Sequence, residues 1–228
     1  MNITVLELAA SWNTRAAALD DVAARLAAGP PTELVLLPEQ SLGGYVSPAG
    51  DFDLAPFAEP LDGPTAQACA ALAARAGVQL VAPLVLREGA AIYNAMACFD
   101  PRGALVFVYR KRHPWLPETW ATPGPAAAPI VELGGRAVTI AICYDVHFLG
   151  DELAAADVLL FPSAWVERPD TRVERLAHLA QRYELYVVNA NWAPGVVRVP
   201  GQGGSCAIAP DGTLLARAAP AGRLDIAI

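Results

Sequence analysis

Apolar and polar positions alternate along the chain in two periods, one for strands and one for helices. Ile3–Leu8 is a β-run, and Thr14–Ala28 is an amphipathic helix with Leu19, Val22, Ala23 and Leu26 on one face. Gly29-Pro30-Pro31 stops that helix. Leu34–Leu37 is a short, uninterrupted apolar run, as expected of a strand buried on both faces, and it breaks at Pro38. Thr65–Ala76 is helical again, closed by Gly77, and Val78–Leu86 is a strand. Ile92–Phe99 and Ala104–Tyr109 flank the turn sequence Asp100-Pro101-Arg102-Gly103 and so form a hairpin. Ala137–Ile142 is a buried strand running into Cys143, and Asp157–Phe161 is another that ends at Pro162-Ser163. A helix over Leu176–Glu184 and a strand over Leu185–Ala190 follow. Ser205–Ala209 and Leu214–Ala218 make a closing hairpin across Pro210-Asp211-Gly212-Thr213.

Strand–helix–strand units mixed with hairpins predict an α/β protein, a mixed sheet covered by helices. No composition break marks a linker and no solenoid repeat is present, so residues 1–228 read as one domain. With 54% hydrophobic and 17% charged residues there is ample material for a core, which excludes a disordered chain. The net charge of −7 speaks against a nucleic-acid partner, which would need clustered Lys and Arg. The start, Met1–Leu8, has no basic stretch and meets Glu7 too early for a signal peptide. No apolar run reaches the ~20 residues that would span a membrane. Cys69, Cys98, Cys143 and Cys206 form no C-x-x-C pair for zinc or redox work. A reducing, cytoplasmic setting with most of the thiols buried is the simplest reading.

Three reactive residues fall at strand ends, where open α/β sheets place their chemistry: Glu39, Lys111 and Cys143. Each has an ordinary explanation on its own. A loop carboxylate is usually solvated, Arg110-Lys111-Arg112 reads as a wet basic surface, and a Cys after an apolar run is usually structural. Together they make a coherent set. A thiol is a strong nucleophile as thiolate, a form that a neighbouring cation favours. A carboxylate beside it would take its proton and return it to a leaving amine. An ammonium aimed at the scissile carbonyl would stabilise the oxyanion, with the Tyr144 N–H as a second donor if the chain turns sharply after Cys143.

Leu36-Leu37-Pro38-Glu39-Gln40-Ser41-Leu42-Gly43-Gly44-Tyr45 resembles the general-base segment of the nitrilase-like carbon–nitrogen hydrolases. Tyr109-Arg110-Lys111-Arg112-His113-Pro114-Trp115 resembles their lysine segment, and Ala141-Ile142-Cys143-Tyr144-Asp145-Val146-His147-Phe148 their nucleophile segment. The three occur in the family's order, and the resemblance extends over nearly the whole chain. It implies a four-layer α-β-β-α sandwich, no cofactor and no metal, a homodimer or larger assembly, and hydrolysis of a non-peptide C–N bond. A small-molecule amide or N-carbamoyl (ureido) compound is the first reading of the substrate. The rivals are a nitrile and a non-catalytic binding or assembly role. It also implies that Glu118, in Leu116-Pro117-Glu118-Thr119-Trp120, helps position the site, although a surface ion pair with Lys111 would explain that residue equally.

The chain departs from the family pattern in places. His147 stands where an Arg is usual, with Glu152 in place of a nearby acidic residue, and Gln181 replaces the Arg three residues before Glu184. The sequence is short for the family and ends at Leu224-Asp225-Ile226-Ala227-Ile228, without the extension that often crosses to a partner. Tyr45, Trp115, Tyr144, Trp165 and Trp192 are candidates to line a substrate pocket, with core packing as the alternative. His147 and Asp145 read as structural, Asp145 through loop hydrogen bonds, and Arg168 and Arg198 as surface residues. A serine-hydrolase reading fails because Gly203-Gly204-Ser205-Cys206-Ala207 lacks the second glycine of G-x-S-x-G, and no phosphate-binding G-x-x-x-x-G-K-[ST] is present.

Overall fold

The computed structural model describes residues 1–167 and 170–228, so Arg168 lies outside the described residues. In chain order the elements are β1 (Asn2–Leu6), α1 (Arg15–Ala28), β2 (Leu34–Leu36), α2 (Pro64–Ala76), β3 (Gln79–Glu88), β4 (Ala91–Phe99) and β5 (Leu105–Arg110). There follow β6 (Val131–Leu133), β7 (Arg136–Ile140), β8 (Val158–Ser163), α3 (Arg172–Tyr183), β9 (Tyr186–Asn191), β10 (Cys206–Ile208), β11 (Leu214–Arg217) and β12 (Arg223–Ala227). They build two six-stranded sheets, ordered β12-β1-β2-β3-β4-β5 and β11-β10-β9-β8-β7-β6. Each sheet has three parallel strands at its heart: β1, β2 and β3 in the first, β7, β8 and β9 in the second. The remaining strands add antiparallel.

Strand side chains alternate between two apolar environments, because successive residues point to opposite faces. On β2, Leu34 and Leu36 enter the core between the sheets, while Val35 and, just past the strand, Leu37 meet the helices. On β4, Met96 and Cys98 face the other sheet, while Ala95 and Ala97 lie under α1 and α2. Small alanines on that face let the helices, which contribute Val22, Cys69, Leu72 and Ala73, approach closely. On the far side Leu176 and Ala180 of α3 cover the second sheet. The result is the four-layer α-β-β-α sandwich, whose central strands, such as β2 and β8, are buried on both faces and therefore continuously apolar or nearly so.

Some elements differ from the sequence reading. β1 ends at Leu6 because Glu7 turns inward, fully buried, where its carboxylate accepts the N–H of Ser205 at 2.6 Å and of Ala221 at 3.0 Å. Helix α3 starts at Arg172, a full turn before its apolar stripe begins. The Arg172 side chain is buried and donates to the carbonyls of Gly203 and Gly204, so a charged residue does the packing of that turn. β6 is too short to give a periodic signal. The chain's last residues form β12, an edge strand that buries Leu224 and Ile226 and pairs with β1. Leu36→Ala removes a fully buried side chain from the inter-sheet core. Its expected cost is about 2–5 kcal/mol, read from urea denaturation midpoints.

Candidate active site

Strand ends from both sheets converge on one place. Glu39 follows β2, whose ladder is prolonged by Leu37 N–H donating to the Val81 carbonyl. Lys111 follows β5, where its N–H donates to the Asn94 carbonyl of β4 at 2.8 Å. Cys143 follows β7, and Ala164 follows β8. The loop after Glu39 is buried rather than wet. Gly44 (φ 97°) allows it to press on α1's leading segment, since a Cβ there would collide with the Ser11 carbonyl. That approach sets Tyr45 into the site.

The centre is an ammonium between two carboxylates, all three out of water. Lys111 Nζ donates to Glu39 Oε1 at 2.7 Å and to Glu118 Oε1 at 2.8 Å and Oε2 at 3.1 Å. Glu118 also accepts from the Tyr45 hydroxyl at 2.8 Å and the Trp115 N–H at 3.3 Å. The Asn94 amide donates to Glu39 Oε1 at 2.8 Å and Glu118 Oε2 at 3.4 Å. Gln40 fixes which way that amide points, because its own N–H donates to Asn94 Oδ1 at 2.7 Å. Ala164 N–H donates to Glu39 Oε2 at 2.8 Å.

Burial alone would drive the lysine toward its neutral form, yet Glu39 and Glu118 outweigh it and hold the ammonium above its usual pKa. For Glu39 the balance goes the other way. Burial raises its pKa and Glu118 adds to the rise, and Lys111 recovers only part of it. Cys143 is pushed well up by burial and by the Glu39 charge, against the pull of Lys111. The Lys111 cation does favour the thiolate, as expected, but desolvation and the Glu39 charge outweigh it, and the thiol lies beside a carboxylate whose own pKa is raised.

Cys143 opens a tight turn, Cys143–His147, with its own backbone in the left-handed region at φ 45°. A residue with a β-carbon is strained there, and the conformation persists only where its surroundings hold it. Cys143 lines a pocket of about 40 Å³ together with Tyr45, Trp115, Tyr144, Ala164, Trp165 and Val166. His147 and Glu167 complete the lining.

Of the residues singled out in the sequence, Glu39, Lys111, Glu118, Cys143, Tyr45, Trp115, Tyr144 and Trp165 are gathered here. Trp192 is not. It packs edge-on behind Tyr45, ring centroids 5.6 Å apart, and donates from its indole to the Trp165 carbonyl at 3.1 Å. His147 lines the pocket rather than serving the scaffold, and burial together with Arg175 lowers its pKa. Arg198 is exposed and apart from the lining. Asn94, Gln40 and the Ala164 amide were missed. Asn94 did leave a signal, as the one strongly polar residue in the apolar strand Ala91–Phe99.

A family model described as carbon-nitrogen hydrolase matches residues 1–228, and the chain belongs to that family. "Hydrolase in pqqF 5'region" of Pseudomonas protegens is 33% identical over 195 residues, 82% of this chain and 67% of that protein. A formamidase of Bacillus cereus is 29% identical over 201 residues, and this chain spans only 58% of its length. Among solved structures, an amidase of the nitrilase superfamily from Nesterenkonia AN1 superposes at TM-score 0.85 with 22% identity, covering 99% of this chain and 89% of that one. A CN-hydrolase superfamily protein from Xanthomonas campestris, carrying an arsenic adduct in its active site, superposes at 0.84 with 22% identity and the same coverage. At that identity the two structures speak for the fold. No described helix is long and apolar enough to cross a membrane.

Lys111→Met leaves two buried carboxylates without their counter-ion. The expected loss of stability at neutral pH is about 3–5 kcal/mol by urea denaturation. The loss shrinks as pH falls, since Glu39, whose pKa burial raises, then takes up a proton and sheds its buried charge.

Proposed function

We propose that this protein hydrolyses a small-molecule amide to acid and ammonia through a thioester on Cys143. The observation that carries this reading is the buried Glu39–Lys111–Glu118 cluster beside Cys143, which lines a small pocket rich in aromatic side chains. Acceptor counting separates the two carboxylates. Glu118 receives Lys111, Tyr45, Trp115 and Asn94, whereas Glu39 Oε2 receives only Ala164 N–H among the described residues. Glu118 is therefore the fixed anion, and Glu39 is the carboxylate with a lone pair to spare.

Glu39 takes the thiol proton as sulfur attacks the carbonyl carbon. An ammonium has three N–H donors; Glu39 Oε1 and Glu118 Oε1 hold two, and the third leaves its longer contact with Glu118 Oε2, 3.1 Å, for the oxyanion. The Tyr144 N–H is the second donor in this scheme, since the chain does turn sharply at Cys143. Collapse breaks the C–N bond, and Glu39 returns its proton to the departing amine. Water then attacks the thioester, giving a proton to Glu39 that returns to sulfur when the acid leaves. The pocket of about 40 Å³ favours a short acyl group, and the names of the formamidase relatives agree with an amide.

Ammonia release from short amides, N-carbamoyl compounds and nitriles tests the reading. Wild type should act best on an amide, and Cys143→Ala should be inert with its fold intact. Cys69, Cys98 and Cys206 should accept Ala or Ser with activity retained, because burial pushes their thiols up to about 12, 12 and 11. Normal turnover by Cys143→Ala would sink the mechanism. The pH profile of kcat/KM gives a second check. Glu39 must be ionised to act, and its pKa is raised, so activity should fall on acidification at a pH above the ordinary glutamate value of about 4.3.

A further inference from the structure

Asp145 lies two residues after Cys143, is 1% exposed, and bonds to two segments that belong to different sheets. Its Oδ2 accepts the Tyr109 hydroxyl at 2.8 Å and the Ile142 N–H at 3.1 Å. Its Oδ1 accepts the His113 backbone N–H and meets His113 Nδ1, both at 2.9 Å. A carboxylate offers about four acceptor positions, and here four donors fill them. Because the carboxylate only accepts, Nδ1 is the nitrogen of His113 that carries the proton. Tyr109 and His113 stand two residues before and two residues after Lys111. Ile142 and Asp145 bracket Cys143, one residue before it and two residues after it. The His113 ring also stacks on Phe148 at the end of the nucleophile turn, with centroids 3.9 Å apart and planes 15° apart.

Resting on the amidase reading of this site, we infer that Asp145, Tyr109 and His113 form a clasp that positions Lys111 against Cys143. None of the three lines the pocket beside the thiol, so they act through the two residues they hold. The need for such a clasp follows from the topology. Lys111 hangs from the edge strand β5 of one sheet, and Cys143 sits in a left-handed turn beyond β7 of the other. Backbone pairing within either sheet leaves their separation free. A left-handed turn at a residue with a side chain persists only where its surroundings over-determine it. The bonds from Asp145 to Ile142 on one side and to Tyr109 and His113 on the other supply both constraints at once. The structural role expected of Asp145 from its loop position is thereby extended to the geometry of the reaction.

Tyr109→Phe and His113→Ala remove one donor each, and His113→Asn keeps a side-chain donor near the Nδ1 position. Two readouts are taken on folded protein: kcat and KM on the best amide, and the rate of Cys143 alkylation by iodoacetamide, mapped by peptide mass. His113 is partly exposed, so its variants should fold even if Tyr109→Phe does not. Tyr109→Phe and His113→Ala should lower kcat by up to about 100-fold with KM little changed, as expected for a misplacement near 1 Å. Alkylation should slow in parallel, and His113→Asn should recover most of both rates. Unchanged kcat and alkylation in His113→Ala would overturn the clasp, as would equal losses in His113→Asn and His113→Ala. The alkylation arm needs no amide. A wild type silent on every amide, with alkylation still slowed in the variants, would sink the amidase reading and keep the clasp.

Discussion

A lysine ammonium held away from water between two carboxylates is the constraint around which the rest of this molecule is arranged. Such a charge is tolerated only when its partners are close and hydrogen-bonded. Glu39 reaches Lys111 from the end of β2, and Glu118 reaches it from the loop beyond β5. Neither carboxylate is left with Lys111 alone. Asn94 on β4 bridges the two, Gln40 sets the orientation of Asn94, and Tyr45 and Ala164 fill further acceptor positions. With both carboxylates ionised the trio carries one net negative charge in a poorly solvated place. The raised proton affinity of Glu39 is the consequence, and the proposed chemistry makes use of it.

The two-sheet architecture decides who can join that trio. Parallel strands at the heart of each sheet bring their carboxyl ends to the same edge of the sandwich, so loops far apart in sequence become neighbours. The first sheet supplies the charged groups, and the second supplies the thiol and the Ala164 amide. Aromatic side chains close the space between them, with Tyr45 serving both as a pocket wall and as a donor to Glu118. Trp192 and Phe52 back this wall with edge-on contacts, which keeps Tyr45 in place without touching the pocket.

Much of this was legible in the amino-acid sequence. Strand and helix periods follow from side-chain geometry alone, so the main elements, the central hairpin and the closing hairpin could be read locally. Pro38 after Leu34–Leu37, and Cys143 after an apolar run, marked strand ends and so marked where chemistry belongs. Family membership was legible as well, because three reactive segments in a fixed order are far more specific than any one of them. Short or atypical elements were not legible. β6 spans three residues, β12 follows the final turn, and the first turn of α3 is packed by the aliphatic stem and guanidinium of Arg172 instead of by an apolar stripe.

What the sequence determined by itself, then, was the main elements, the family and the reactive residue types at the strand ends. Only the tertiary structure decided the rest. It decided that Asn94 and Gln40 serve the charged cluster, that Trp192 stands behind Tyr45 while His147 faces the pocket, and that burial and the Glu39 charge push the Cys143 thiol up. The physical reason is the same in each case. Hydrogen-bond partners, facing directions and desolvation depend on what another segment places alongside, and sequence separation carries no measure of that. Residues 39, 111 and 143 are distant along the chain and adjacent only because two sheets stack, and the proton affinities follow from that stacking.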